Sequence, residues 1–191
     1  MNLLPLTTRA MLRVLITGPP GVGKTTLIKR LIEHARSLGV GVYGFITTEV
    51  REGGSRIGFR IVDVNSGREA WLAHVSLFRG GPMVGRYNVN LRAMEEIGIP
   101  SIKAATPGSL AVIDEIGKME LLHGEFLKAL EEVVDRVHFL GTIYMAYKTN
   151  KPVASFVSRH GFKVIELTRF NRDQVLNELI RELDREVKPS R

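Results

Sequence analysis

Gly18-Pro19-Pro20-Gly21-Val22-Gly23-Lys24-Thr25 satisfies the pattern G-x-x-x-x-G-K-[ST] at every fixed position. It follows an apolar run, Val14-Leu15-Ile16, and leads into an amphipathic segment that begins Thr26-Leu27-Ile28-Lys29. That order, strand then loop then helix, is the context the pattern requires. The glycines let the backbone curl so that successive N–H groups point inward at phosphate oxygens. The start of the helix adds unpaired N–H groups and the positive end of its dipole. Lys24 is placed to reach the terminal phosphates, and the Thr25 hydroxyl to ligate Mg²⁺. A plain Gly/Pro turn before a helix is the alternative, and motif and context together argue against it. The stretch predicts a chain that binds a nucleotide.

Outward from this loop, short apolar runs alternate with helical periodicity, which predicts a three-layer α/β domain with a mainly parallel sheet. Strands are expected at Arg13–Thr17, Gly39–Phe45, Leu110–Asp114, Val137–Ile143 and Phe162–Leu167, the last as a core strand. Helices are expected at Thr25–Leu38, Asn90–Ala105 (interrupted near Gly98-Ile99-Pro100), Leu121–Val133 and Pro152–Arg159. Between Thr47 and Ala73 the character changes. β-rich pieces are separated by Glu52-Gly53-Gly54 and Asn65-Ser66-Gly67, which are hairpin signals, so a small antiparallel β insertion is expected. Phe78–Pro82 reads as a Gly-rich loop. A final helix is expected after Asn171 as N-cap with Gln174 completing a capping box. Its stripe of Val175, Leu176, Leu179, Ile180, Leu183 and Val187 reads as a face docked on the sheet. Residues 1–12 read as a leader or tail and 13–191 as one domain, with Met1 and Met11 both open as the start.

With 191 residues and 44% hydrophobic content, the chain is long enough for one well-packed domain. It has no Cys, which excludes disulfides, thiolate zinc sites and cysteine nucleophiles. His34, His74, His123, His138 and His160 are scattered without metal-ligand spacing. No apolar run approaches a membrane span, and Pro5, Arg9 and Arg13 break up the N-terminal segment that otherwise resembles a signal peptide, so a cytoplasmic protein is expected. The net charge of +7 is concentrated at the front: residues 1–60 hold nine Lys/Arg against three acids. That surplus surrounds the phosphate loop, where a polyanion would be drawn in. A nucleic-acid partner is the rival reading of the charge, but no basic run of five exists and aromatics do not interleave with the cations. The lack of Cys and the single Gln, Gln174, are a thermophile-like bias.

The second half of the site is read from Leu110-Ala111-Val112-Ile113-Asp114-Glu115, an apolar strand ending in two carboxylates. Beside a phosphate loop, the first acid at such a place holds the metal's water shell. A carboxylate directly after it can accept a hydrogen bond from a water in line with the γ-phosphate, which favours hydrolysis over transfer. A solvated strand-end Glu is the plainer alternative for Glu115.

Four blocks then carry a resemblance: Asp114-Glu-Ile-Gly117-Lys-Met-Glu120, Gly44-Phe-Ile-Thr-Thr-Glu-Val-Arg51, Arg56-Ile-Gly-Phe59 and Val84-Gly-Arg-Tyr87. Together with the loop they resemble the nucleoside-triphosphatase family that includes the thermophile NTPases and the human cancer-related NTPase. The resemblance implies a RecA-like fold and Mg²⁺-dependent hydrolysis of ATP, GTP, CTP and UTP to the diphosphate, with little base selectivity. It also implies that residues 18–25 and 110–117, including Ile116 and Gly117, form the nucleotide site. Two departures stand out: Tyr144-Met145 follows Gly141-Thr-Ile143 where family members often have a Pro, and ten residues precede the usual start.

Further candidates remain open. Thr142 is either a γ-phosphate sensor or an ordinary strand-end Thr. Arg51, Arg56, Arg86 and Lys118 are candidates for a cation that steadies the transition state, or are structural. Trp71 and Tyr87 are candidates for stacking on a base, or pack in hairpins. The expected function is NTP hydrolysis, with Lys24 and Glu115 catalytic and Thr25 and Asp114 at the metal. The rivals are a kinase of a small acceptor and a nucleic-acid-associated switch ATPase.

Overall fold

The computed structural model describes residues 11–187, and the expected leader falls mostly outside them. Leu12 is buried, and its carbonyl accepts a hydrogen bond from Phe139 N at 2.7 Å. The elements run β1 (Arg13–Thr17), α1 (Lys24–Ser37), β2 (Val42–Glu52), β3 (Ser55–Asp63), β4 (Glu69–His74), β5 (Met83–Val84) and β6 (Tyr87–Val89). Then come α2 (Leu91–Ala93), α3 (Ile99–Lys103), β7 (Leu110–Ile116), α4 (Phe126–Val133), β8 (His138–Ile143), α5 (Lys151–Arg159), β9 (Lys163–Glu166) and α6 (Arg172–Glu186).

The strands form one sheet in the order β5-β6-β4-β3-β2-β7-β8-β1-β9. From β2 to β9 all pairings are parallel, and from β2 outward through β3, β4, β6 and β5 all are antiparallel. Alternation of side chains splits each parallel strand between two cores. Val14, Ile16, Val112 and Leu140 pack on the face covered by α1 and α6. Leu15, Ala111, Ile113 and Phe139 face the other way, towards α3, α4 and α5. A strand buried on both faces must be apolar throughout, which is why Leu110 to Ile113 reads as an unbroken run.

The antiparallel region expected between Thr47 and Ala73 is a continuation of the main sheet. β2 begins at Val42 and runs to Glu52; Val42 to Ile46 pair with β7, and Phe45 to Glu52 with β3. Other boundaries also move. Leu121 to Val133 is not one helix: a 3₁₀ turn at Glu120–Leu122 is separated from α4 by His123-Gly124-Glu125. The interruption before Pro100 is a π-turn at Met94–Gly98 joining α2 to α3. A proline cannot donate within the helix, and the wider turn accommodates it. β9 is an edge strand and only half-buried, not a core strand.

The capping box at Asn171 does not form. Its Oδ1 accepts from Thr168 N at 2.7 Å and its Nδ2 donates to Glu166 O at 2.9 Å, so the side chain braces the β9–α6 turn instead. Gln174 donates to Glu178 at 2.9 Å. The apolar stripe of α6 does dock, with Val175, Leu179, Leu183 and Val187 buried.

Candidate active site

The phosphate loop leaves β1 between the C-terminal ends of β8 and β9, the place where chain connections diverge in an open parallel sheet. Two of its glycines are required by geometry. Gly18 has φ 146°, and a Cβ there would sit 2.6 Å from the Leu167 carbonyl oxygen; Gly23, with φ 107°, leads directly into α1. Lys24 Nζ donates to the Gly18 carbonyl at 2.7 Å and to that of Pro19 at 3.2 Å, so the ammonium lies across the loop. Thr25 Oγ1 donates to Asp114 Oδ2 at 2.7 Å, bridging 89 positions of sequence. Asp114 Oδ1 in turn accepts from Thr142 Oγ1 at 2.5 Å.

Residues 114–115 lie where β7 departs from regular pairing. Its register with β8 passes from Ile113 opposite Gly141 to Ile116 opposite Ile143, a bulge of the kind that re-aims side chains beside active sites. Asp114 is nearly fully buried, and burial raises its carboxyl above the ordinary value, opposed by the two hydroxyl donors and by Lys24. Burial likewise pushes Glu115 up to about 7, offset by Lys24 and reinforced by Asp114. Glu120 is 4% exposed and pushed up to about 8, again chiefly by burial. Gly117 leaves room for both glutamates: a Cβ there would lie 2.7 Å from Glu120 Oε2 and 3.2 Å from Glu115 Oε2. In the sequence Glu120 only closes the block Asp114–Glu120, with no signal of a role.

The profile of the NTPase family matches residues 13–180, nearly the whole described chain. The chain belongs to this nucleoside-triphosphatase family. A relative named nucleoside-triphosphatase THEP1 from Caldivirga maquilingensis is 42% identical over 167 residues, 87% of this chain and 92% of its own length. The protein of that name from Thermotoga petrophila is 43% identical over 174 residues, covering 88% and 91% respectively. Among solved structures, a human cancer-related nucleoside triphosphatase matches with TM-score 0.79 and 36% identity over 93% of this chain and all of that one. THEP1 from the hyperthermophile Aquifex aeolicus matches with TM-score 0.77 and 34% identity, covering 90% and 98%.

Within this NTPase, the nucleotide set expected from sequence divides in two. Gly18 to Thr25, Asp114, Glu115 and Gly117 gather at one end of the sheet. Leu110, Ala111, Val112 and Ile113 do not reach it: they are wholly buried inside β7 and support Asp114 from below, as the buried Ile116 does from the other side. Thr142, also wholly buried, spends its hydroxyl on Asp114.

Of the four candidate cations, Arg51 and Arg56 both pair with Glu49, and Arg86 donates to the Arg56 carbonyl at 2.5 Å. Only Lys118 stands beside Glu115. It lines a cavity of about 240 Å³ with Thr47, Phe59, Leu72, Glu115 and Tyr144. The two candidate aromatics are engaged within the antiparallel region. Trp71 carries Arg60 over its face at 5.2 Å, and Tyr87 meets Phe59 edge-on at 5.2 Å.

Proposed function

We propose that this NTPase is a Mg²⁺-dependent nucleoside-triphosphate phosphohydrolase with broad base tolerance. The observation that carries the reading is the convergence of Lys24, Thr25, Asp114 and Glu115, from two distant motifs, on one end of the sheet. Backbone N–H groups of Gly21, Gly23 and Lys24, with the Lys24 ammonium, hold the β- and γ-phosphates. The Thr25 hydroxyl and the Asp114 carboxylate are hard oxygen donors 2.7 Å apart. Asp114 is buried without enough positive charge to hold its carboxyl at the ordinary value, which fits a small dication. Thr25 and Asp114 would hold such a dication, which would supply neutralisation of the phosphate charge. Thr142 fixes the orientation of Asp114.

Glu115 accepts the proton of an in-line water. As its oxygen bonds to the γ-phosphorus, the bridging P–O bond breaks and the diphosphate leaves. A carboxyl pushed up to about 7 suits a general base near neutrality. The phosphate grip uses loop backbone and one Lys, so it does not depend on the base, which supports use of ATP, GTP, CTP and UTP alike. Steady-state assays of Glu115→Gln test the reading: phosphate release should fall about 10²–10⁴-fold while nucleotide binding survives. Turnover near wild type would remove Glu115 from the role.

One observation favours a second reading, transfer of the γ-phosphoryl to a small acceptor. The cavity beside Glu115 is mostly apolar, with Lys118 as a charged handle, and has the character of a small-molecule site. ³¹P spectra of ATP turnover with hydroxylated small molecules separate the two, since a kinase yields a phosphorylated product and a hydrolase only free phosphate.

A further inference from the structure

The phosphate loop accounts for the triphosphate and leaves the nucleoside unplaced. Lys24, Asp114 and Glu115 mark the γ-phosphate end, so the α-phosphate lies towards Thr26 in the first turn of α1. On that side the loop is walled by the β9–α6 turn. Leu167 O abuts Gly18, and Arg172 Cδ would be 3.3 Å from a Cβ on Gly23. A cleft of about 150 Å³ separates Thr26 and Arg30 from Arg172, and a second of about 390 Å³ lies between Pro19 to Val22 and the turn residues Thr168 to Phe170.

Two features of this turn stand out among the described residues. Phe170 is 101% exposed, a whole aromatic ring in water. The turn beneath it is not loose: Asn171 braces it from both sides, and Thr168 Oγ1 accepts from the backbone N–H groups of Phe170 and Asn171, each at 3.3 Å. Arg169 and Arg172 flank the ring in sequence, and Arg30 faces the turn across the smaller cleft. Among the described residues, none of these three guanidinium groups makes an ion pair with a neighbouring side chain. An exposed ring on a braced turn, with three guanidinium groups against the carboxylates of Asp173 and Glu166 in the same two clefts, suits a flat, π-rich, anionic ligand.

We propose that the nucleoside of a bound NTP lies against the β9–α6 turn, its base stacked on Phe170 and its sugar–phosphate junction beside Arg172. This rests on residues 18–25 gripping the phosphates. Stacking reads the face of a base and not its edge, so the platform accepts every base and favours the larger purines.

Calorimetric titrations with a non-hydrolysable ATP analogue and with inorganic triphosphate, each with Mg²⁺, test the platform. Because Phe170 is fully exposed, Phe170→Ala leaves the fold intact. The variant should bind the ATP analogue roughly tenfold more weakly and triphosphate as well as wild type does, and Phe170→Trp should restore the affinity for the analogue. Equal affinity of wild type and Phe170→Ala for the analogue, or parallel losses for both ligands, overturns the proposal. Failure of the wild-type protein to bind either ligand overturns the reading of residues 18–25 as well, and is thereby distinguished from failure of the platform alone.

Discussion

The two halves of the sheet share one strand, β2, and are built on opposite principles. In the parallel half, β7 and β8 are apolar along their length and covered by helices on both faces. Of its buried polar side chains, Asp114 and Thr142 are mutually bonded beside the phosphate loop, while His138, at the other end of β8, accepts a hydrogen bond from Leu12 N at 3.1 Å. The antiparallel half keeps much of β3 and β4 half-exposed and holds its side chains by surface pairs: Arg56 with Glu49 at 2.5 Å, Arg60 with Glu69 at 3.1 Å, and Arg60 over Trp71. Burial makes the first half expensive to alter and strengthens its electrostatics. Solvent makes the second half tolerant. What the antiparallel half contributes to the site is a wall: Phe59, Leu72 and Val84 enclose the cavity into which Glu115 faces.

The contrast is broken most directly by neutralising one carboxylate in each half. Glu115→Gln should lower turnover by about 10²–10⁴-fold, whereas Glu49→Gln, which removes a surface partner of Arg51 and Arg56, should leave it within a factor of a few. Comparable losses in steady-state assays would mean that the antiparallel half takes part in the chemistry. Truncation makes the next largest difference. Phe139→Ala opens a hole in a buried cluster with Phe156 and Phe162 and should cost about 3–5 kcal/mol of unfolding free energy in urea titrations.

A smaller effect separates the halves by pH. Glu120 rises from 4.5 in the unfolded chain to about 8 in the fold, so the folded protein retains a proton that the unfolded one releases. Its stabilising contribution is therefore complete below about pH 4.5 and lost as the pH climbs through about 8. Glu115, shifted to about 7, acts with the same sign. Thermal midpoints of the nucleotide-free protein should fall from pH 5 towards pH 8, as these folded-state values dictate, and Glu120→Gln should flatten the slope. The smallest expected change is in the antiparallel half. Arg60→Ala loses one ion pair and one cation–π contact at the surface, about 0.5–1 kcal/mol in the same urea titrations.

The loop was legible because its residues are contiguous and each fixed position has a local reason: Gly18 needs a conformation and a clearance that a side chain would deny, and Lys24 and Thr25 must open a helix. β7 was legible because double-sided burial writes an unbroken apolar run ending in acids. Boundaries failed where a neighbour outweighed local preference. Asn171 carries an N-cap signal, yet its amide is spent on Thr168 and Glu166, bonds that a reading confined to the helix start does not anticipate. The nearness of Glu115 and Glu120 to one another around Gly117 was hidden because it depends on the chain folding back there into a buried 3₁₀ turn.

By itself, the sequence determined that the domain is α/β with a mainly parallel sheet, and it singled out residues 18–25 with Asp114 and Glu115 as the proposed triphosphate site. These follow from short-range rules: glycine conformation, helix polarity and the apolar period of buried strands. Only the tertiary structure decided that Thr142 serves Asp114, that Lys118 alone among the candidate cations stands beside Glu115, and that Arg172 and Phe170 border the loop. The first and last of those relations join residues 28 to about 150 positions apart, and what brings them together is the order in which β9, β1, β8 and β7 lie side by side, which the burial of both sheet faces imposes on the whole chain at once.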